Sequence, residues 1–154
     1  KRMLLTGDAR GDKILTGLEE AGLVPTGGTL HLDLLKVPHH GSDRNVELDF
    51  FKRLPADHYV LSGDGEHGNP ERATLEMILK ARGTQADYTI HLTYPVDEID
   101  KERRAEALKK KKTWSAAKHS LQSLFQTNPD FGKKVSIAGE TGPYLIELLG
   151  KVGA

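Results

Sequence analysis

A layered α/β fold is predicted by three features of the chain. Strand-like apolar runs and amphipathic helical runs alternate three times before residue 95. Turn residues such as Gly7, Pro25, Gly63 and Gly83 punctuate them. The length, 154 residues, suffices for one domain with its own core.

The elements follow in order. Met3 to Thr6 reads as a short buried strand ended by Gly7-Asp8. Ile14, Leu15, Leu18 and Ala21 recur at helical spacing, which predicts a helix over 11–23, and the loop at 24–28 follows. Leu30 to Val37 is apolar enough for a mostly buried strand. Val46, Phe50, Phe51 and Leu54 predict a helix from about Asn45 to Leu54. Tyr59 to Ser62 is the third strand. Asn69 is expected to cap the next helix, with Pro70 in its first position and Leu75, Ile78 and Leu79 inward. Tyr88 to Tyr94, rich in β-branched and aromatic residues, carries the strongest strand signal.

Pro95 marks a change of composition, so residues 1–95 form one expected unit and 96–154 an appended, mainly helical segment. The segment opens with the charged stretch 96–112. Helical periodicity resumes with Trp114, Ala117, Leu121, Leu124 and Phe125. A short strand is expected at Val135–Ala138, and a terminal helix over Pro143–Leu149 with Leu145, Leu148 and Leu149 inward.

Composition narrows the chemistry. Lysine plus arginine and aspartate plus glutamate both number 22, so no global charge recommends a polyanion, although a nucleic-acid partner is not excluded. The run Lys109–Lys112 reads as a solvated helix face, because neighbouring glutamates and aspartates dilute it. With no cysteine, disulfides and thiolate metal sites are ruled out; a metal would need imidazole and carboxylate ligands, for which seven histidines are available. No run approaches the roughly 20 apolar residues of a membrane helix. The expectation is a cytoplasmic protein, a homo-oligomer being compatible. The opening Lys1-Arg2-Met3 enters a strand at once with no start methionine, which fits a fragment, a processed chain or the loss of an upstream part.

The chemistry-bearing residues collect just past strands. Asp8 sits in a glycine turn, His39-His40-Gly41-Ser42 ends the second strand, and Asp64 follows the third. In alternating α/β chains such positions share one sheet edge. His31, His58, His91 and His119 read as packed or surface residues.

Three stretches in order carry a resemblance. Leu4-Leu5-Thr6-Gly7-Asp8-Ala9, Asp33-Leu34-Leu35-Lys36-Val37-Pro38-His39-His40-Gly41-Ser42, and Val60-Leu61-Ser62-Gly63-Asp64-Gly65 with His67-Gly68-Asn69-Pro70 resemble the C-terminal half of a metallo-β-lactamase-fold hydrolase. The similarity is to the subgroup of competence proteins and phosphorylcholine esterases that share His-His-Gly-Ser, and it covers roughly residues 3–82. It implies half of an αββα sandwich and a site for two zinc ions or another divalent transition metal. By that resemblance Asp8 bridges the metals and His40 is the terminal imidazole ligand. His39 touches substrate or supports the site, and Ser42, His67 and Asn69 line the substrate. Related sequences often have Gly-His-Pro where this chain has Gly68-Asn69-Pro70.

None of the seven histidines forms a His-x-His pair, so the family's His-x-His-x-Asp-His motif is absent. Asp8 and His40 alone fall short of a dinuclear ligand set. The expectation is therefore a hydrolase of a phosphodiester or other ester once joined to an N-terminal half carrying that motif. The alternative is a non-catalytic fragment or subunit that acts by association through the segment bearing Trp114.

Overall fold

The computed structural model describes residues 1–139 and 143–149. Five strands alternate with helices: β1 (Met3–Leu5), α1 (Gly11–Glu20), β2 (Leu32–Lys36), α2 (Leu48–Arg53), β3 (Ala56–Leu61), α3 (Arg72–Arg82) and β4 (Thr89–Leu92). Then come α4 (Val96–Lys109), α5 (Ala116–His119), α6 (Leu121–Thr127), α7 (Pro129–Gly132) and β5 (Val135–Ile137). The fold is α/β, as its alternating sequence predicts.

All pairings among the described strands are parallel, and the sheet order is the chain order, β1-β2-β3-β4-β5. Crossovers between parallel strands are almost always right-handed, so a sheet built in one direction collects its helices on one face. The core agrees. Leu35, Tyr59 and Ile90 lie side by side by register and cluster with Leu15 of α1, Phe50 and Phe51 of α2, and Leu75 and Ile78 of α3. Phe51 meets the Tyr59 ring edge-on at 6.1 Å. Each such buried apolar side chain contributes roughly 1.5–3 kcal/mol.

The opposite face carries the rows Met3-Leu34-His58-Thr89 and Leu5-Lys36-Val60-His91-Ser136. There Met3 and Leu5 are 58% and 73% exposed, whereas the sequence predicts a buried first strand; only Leu4 of β1 turns to the core. At the far end Tyr144 lies against His91 and Ser136. The helices with buried core residues all contribute to the one cluster.

Residues after 95 return to the same sheet. The Ile90 amide donates to the Lys134 carbonyl at 2.8 Å, and that of Ala138 to Leu92 at 2.9 Å. Asp100 of α4 ties the helices together by accepting from the Ser120 hydroxyl and from the Leu121 and Gln122 amides at the start of α6. The terminal helix expected over Pro143–Leu149 does not form. That stretch is irregular, Leu145 and Leu149 are exposed, and Tyr144 is pinned to the sheet instead. Asn69 is not a helix cap. The helix begins at Arg72, with Glu71 in the cap position, because the Asn69 carbonyl accepts from Gly65 and the Glu71 amide donates to Gly41. No described helix is long and apolar enough to cross a membrane.

Candidate functional site

The carboxyl edge of the sheet is where the loops after β1, β2 and β3 meet. The Thr6 hydroxyl donates to the Lys36 carbonyl at 2.6 Å, and the His39 amide donates to the Gly7 carbonyl at 2.9 Å. These bonds hold the Asp8 turn beside the His39-His40 loop, 31 residues on in sequence. The Asp8 carboxylate lies 3.8 Å from Nδ1 of His39. That ring nitrogen is buried and has no hydrogen-bond partner.

The loop turns in an unusual way. His39 has φ 48° and His40 φ 57°, both in the left-handed region that costs an ordinary residue about 1–2 kcal/mol. Gly41 follows at φ 96°, and a Cβ there would sit 2.7 Å from Leu61 and 2.8 Å from Pro70. Its carbonyl accepts from the Glu71 amide at 2.9 Å and the Thr74 hydroxyl at 2.8 Å. The start of α3 thus clamps the turn. Beyond it, Nδ1 of the exposed His40 is 2.8 Å from the Ser62 hydroxyl at the end of β3.

Four residues expected to face substrate share one cleft of about 500 Å³: His39, Ser42, His67 and Asn69. Asp8 and His40 are not among its lining residues. Asp64, also expected at this edge, accepts from the Glu66 amide at 2.9 Å and so shapes its own turn. The cleft's other wall comes from the segment beyond residue 95. Arg103, 6% exposed, donates from Nε to the Gly68 carbonyl at 3.0 Å and from Nη1 to that of His119. Its guanidinium lies 5.4 Å from the Trp114 ring centre, and Trp114 stacks on His119. The sequence reading missed Arg103 as a member of this cleft; the signal was the lone tryptophan 11 residues on.

Electrostatics differ around the edge. Burial first, and the neighbouring Asp43 carboxyl second, push the Glu71 carboxyl up to about 7. Burial lowers the Lys36 ammonium from its usual range, against the opposing pull of Asp8. Zinc would find oxygen and imidazole donors in Asp8, His39 and His40, the ligand types it takes in proteins without cysteine. The described residues nevertheless contain no group of three or more histidine, aspartate or glutamate side chains placed to hold a metal ion. Among the described residues the edge therefore does not by itself fit a metal ion.

The fold and this edge define an α/β protein with a strained, polar strand-end loop. Comparison with known proteins adds short similarities. Over 58 residues, 37% of the chain, it is 40% identical to human microtubule-associated protein 1A. Over 64 residues, 42% of the chain, it is 36% identical to the microtubule-associated protein futsch of Drosophila melanogaster. Over 59 residues, 38% of the chain, it is 39% identical to microtubule-associated protein 1S of Bos taurus. The matches span about 2%, 1% and 6% of those proteins' own lengths. No family model and no solved structure matches the chain.

Proposed function

We propose that the chain supplies half of a metal-dependent hydrolase site, with Asp8 and His40 as metal ligands and His39, Ser42, His67 and Asn69 facing a phosphodiester or other ester. The observation that carries this reading is the strained His39-His40 turn stapled beside Asp8. Two consecutive non-glycine residues in the left-handed region are worth their cost where the backbone must aim side chains. Asp8 and His40 would hold one side of such a metal site, and the metal, when bound, would supply Lewis-acid activation of water. The chain's own part is to hold one carboxylate and the imidazoles at the edge, and to line the adjoining cleft.

The remaining ligands would come from a segment carrying His-x-His-x-Asp-His. The test is elemental analysis of the protein expressed with whatever sequence adjoins residues 1–154 in its polypeptide. About two zinc or similar ions per chain are expected, with loss of at least one in Asp8→Ala and in His40→Ala. A protein free of transition metal, with hydrolytic activity unchanged by either substitution, overturns the reading.

One observation favours a second reading, that the chain acts by association without catalysis: the described donors do not close a metal site. The partial similarity to microtubule-associated proteins is compatible with it. A metal-free protein that sediments with a partner through the Trp114 segment would support this alternative.

A further inference from the structure

We propose that the cleft between the His67 turn and α4 binds a phosphate group, free or carried as a monoester, through Arg103 and the cations beside it. This site shares the cleft of the ester reading but neither of its metal ligands, since Asp8 and His40 do not line it. Arg103 is the anchor. It is 6% exposed, yet it forms part of the cleft wall. Its Nε is committed to the Gly68 carbonyl and its Nη1 to that of His119, with an Asp100 oxygen 3.6 Å from Nη1. Nη2 makes no hydrogen bond among the described residues. Two N–H donors of a fixed, largely desolvated guanidinium are thus left for a ligand, and arginine is the side chain best suited to phosphate oxygens.

The fold brings further cations to the same place. Lys111 has φ 55°, and the Lys112 amide donates to the Ala107 carbonyl at 2.8 Å, so the chain folds back where α4 ends. Lys110, Lys112 and Trp114 thereby become walls of the cleft, and Arg44 joins them from the loop after β2. Of Arg44, Lys110 and Lys112, only Lys110 is ion-paired among the described residues, with Glu106 at 2.7 Å. Glu71 is the other carboxyl group on the wall. Burial and Asp43 hold it up to about 7, so its negative charge is incomplete at neutral pH. A planar carboxylate takes its donors in one plane, whereas a tetrahedral phosphate accepts them from several sides. The cations here come from α4, the turn after it and the loop after β2. A cleft of about 500 Å³ is of the size that holds a small ligand.

The test uses the protein expressed with its adjoining sequence, in excess EDTA, followed by calorimetry and 1H–15N NMR. Inorganic phosphate and phenyl phosphate are the probes, with chloride at matched ionic strength as the control. Saturable binding is expected, with movement of the Trp114 indole resonance, assigned by its loss in Trp114→Phe. Tighter binding of phenyl phosphate assigns the site to a phosphomonoester, and tighter binding of inorganic phosphate assigns it to the free anion. Arg103→Lys keeps the charge but loses the fork, and should weaken binding by about 10–100-fold. Because Arg103 also ties α4 to Gly68, a second variant changes only exposed positions, Arg44→Gln with Lys112→Gln. It should bind about 3–10-fold more weakly at an unchanged melting temperature. Lys101→Gln, on α4 outside the cleft, should change affinity less than about twofold. Shifts that do not saturate, or that chloride reproduces, overturn the inference, as does equal weakening in Lys101→Gln. Phosphate binding that appears only when zinc is added overturns it and supports the metal reading. Phosphate binding in EDTA by a protein that takes up no zinc supports it and overturns the metal reading.

Discussion

Two histidine pairs in this molecule are built in opposite ways. His39 and His40 stand on a turn at the sheet's carboxyl edge, with left-handed backbone and few side-chain partners. His58 and His91 stand in β3 and β4 on regular backbone and are hydrogen-bonded in series. Nδ1 of His58 lies 2.9 Å from Nε2 of His91, and Nδ1 of His91 lies 2.6 Å from the Tyr144 hydroxyl. That hydroxyl donates to Ser136, so it accepts from His91 Nδ1–H; Nε2 of His91 then accepts from His58. One pair spends backbone energy on a turn, and the other lies on regular strands where burial disfavours its charge. Residue type alone distinguishes neither; the backbone and the partners do.

The contrast can be broken most forcefully at Gly41. Gly41→Ala forces a Cβ against Leu61 and Pro70 at a positive φ, so a loss of about 2–4 kcal/mol is expected in denaturant unfolding. The same substitution should disorder the His39-His40 loop in NMR spectra.

His91→Phe attacks the other pair. It leaves the Tyr144 hydroxyl and the His58 ring each short of a partner, and a loss of about 1–3 kcal/mol is expected. That substitution also tests a pH effect. Burial first, and the neighbouring His58 second, lower His91 to about 4. Between the ordinary histidine pKa near 6.5 and that value, the unfolded chain binds a proton that the folded chain does not. The stabilisation is therefore complete above about pH 6.5 and is lost as pH falls toward 4, at up to about 1.4 kcal/mol per pH unit. His58, lowered chiefly by burial, acts in the same direction. Urea midpoints measured from pH 7 to 4 should fall less steeply in His91→Phe than in the original.

The smallest effect expected has the opposite sign. His40→Gly relieves a left-handed non-glycine residue whose ring is exposed, so stability should be unchanged or rise by about 0.5–1 kcal/mol. Metal binding, if the proposed reading holds, should fall in the same variant. A marked loss of stability would mean that His40 is a structural residue, like His91.

Much of this architecture is legible in the sequence, because it depends on local periodicity. The three early strand–helix alternations and the gathering of Asp8 and His39-His40 at strand ends come from patterns that neighbouring residues set. What depends on distant contacts is not legible. Asn69 looks like a cap by composition, yet its carbonyl is committed to Gly65 and the residue is buried. Leu145, Leu148 and Leu149 have helical spacing, but Tyr144 is fixed by a ring 53 residues earlier and the stretch stays irregular. Arg103 looks like one more charge on a solvated helix. It is buried because Gly68 and His119 offer it carbonyls and Trp114 offers a ring.

The strand order has a consequence for how the chain can be made. Each strand pairs with the one preceding it, so the sheet can grow in the order of synthesis, every new strand docking on an edge that already exists. No described strand has to wait for a later one to be inserted between it and its neighbour. In that order β4 would be the growing edge until β5 arrives, and the hydrogen bonds of Lys134 and Ala138 would close last. A protein built this way would gain its protection against proteases progressively, from β1 toward β5, while still emerging from the ribosome.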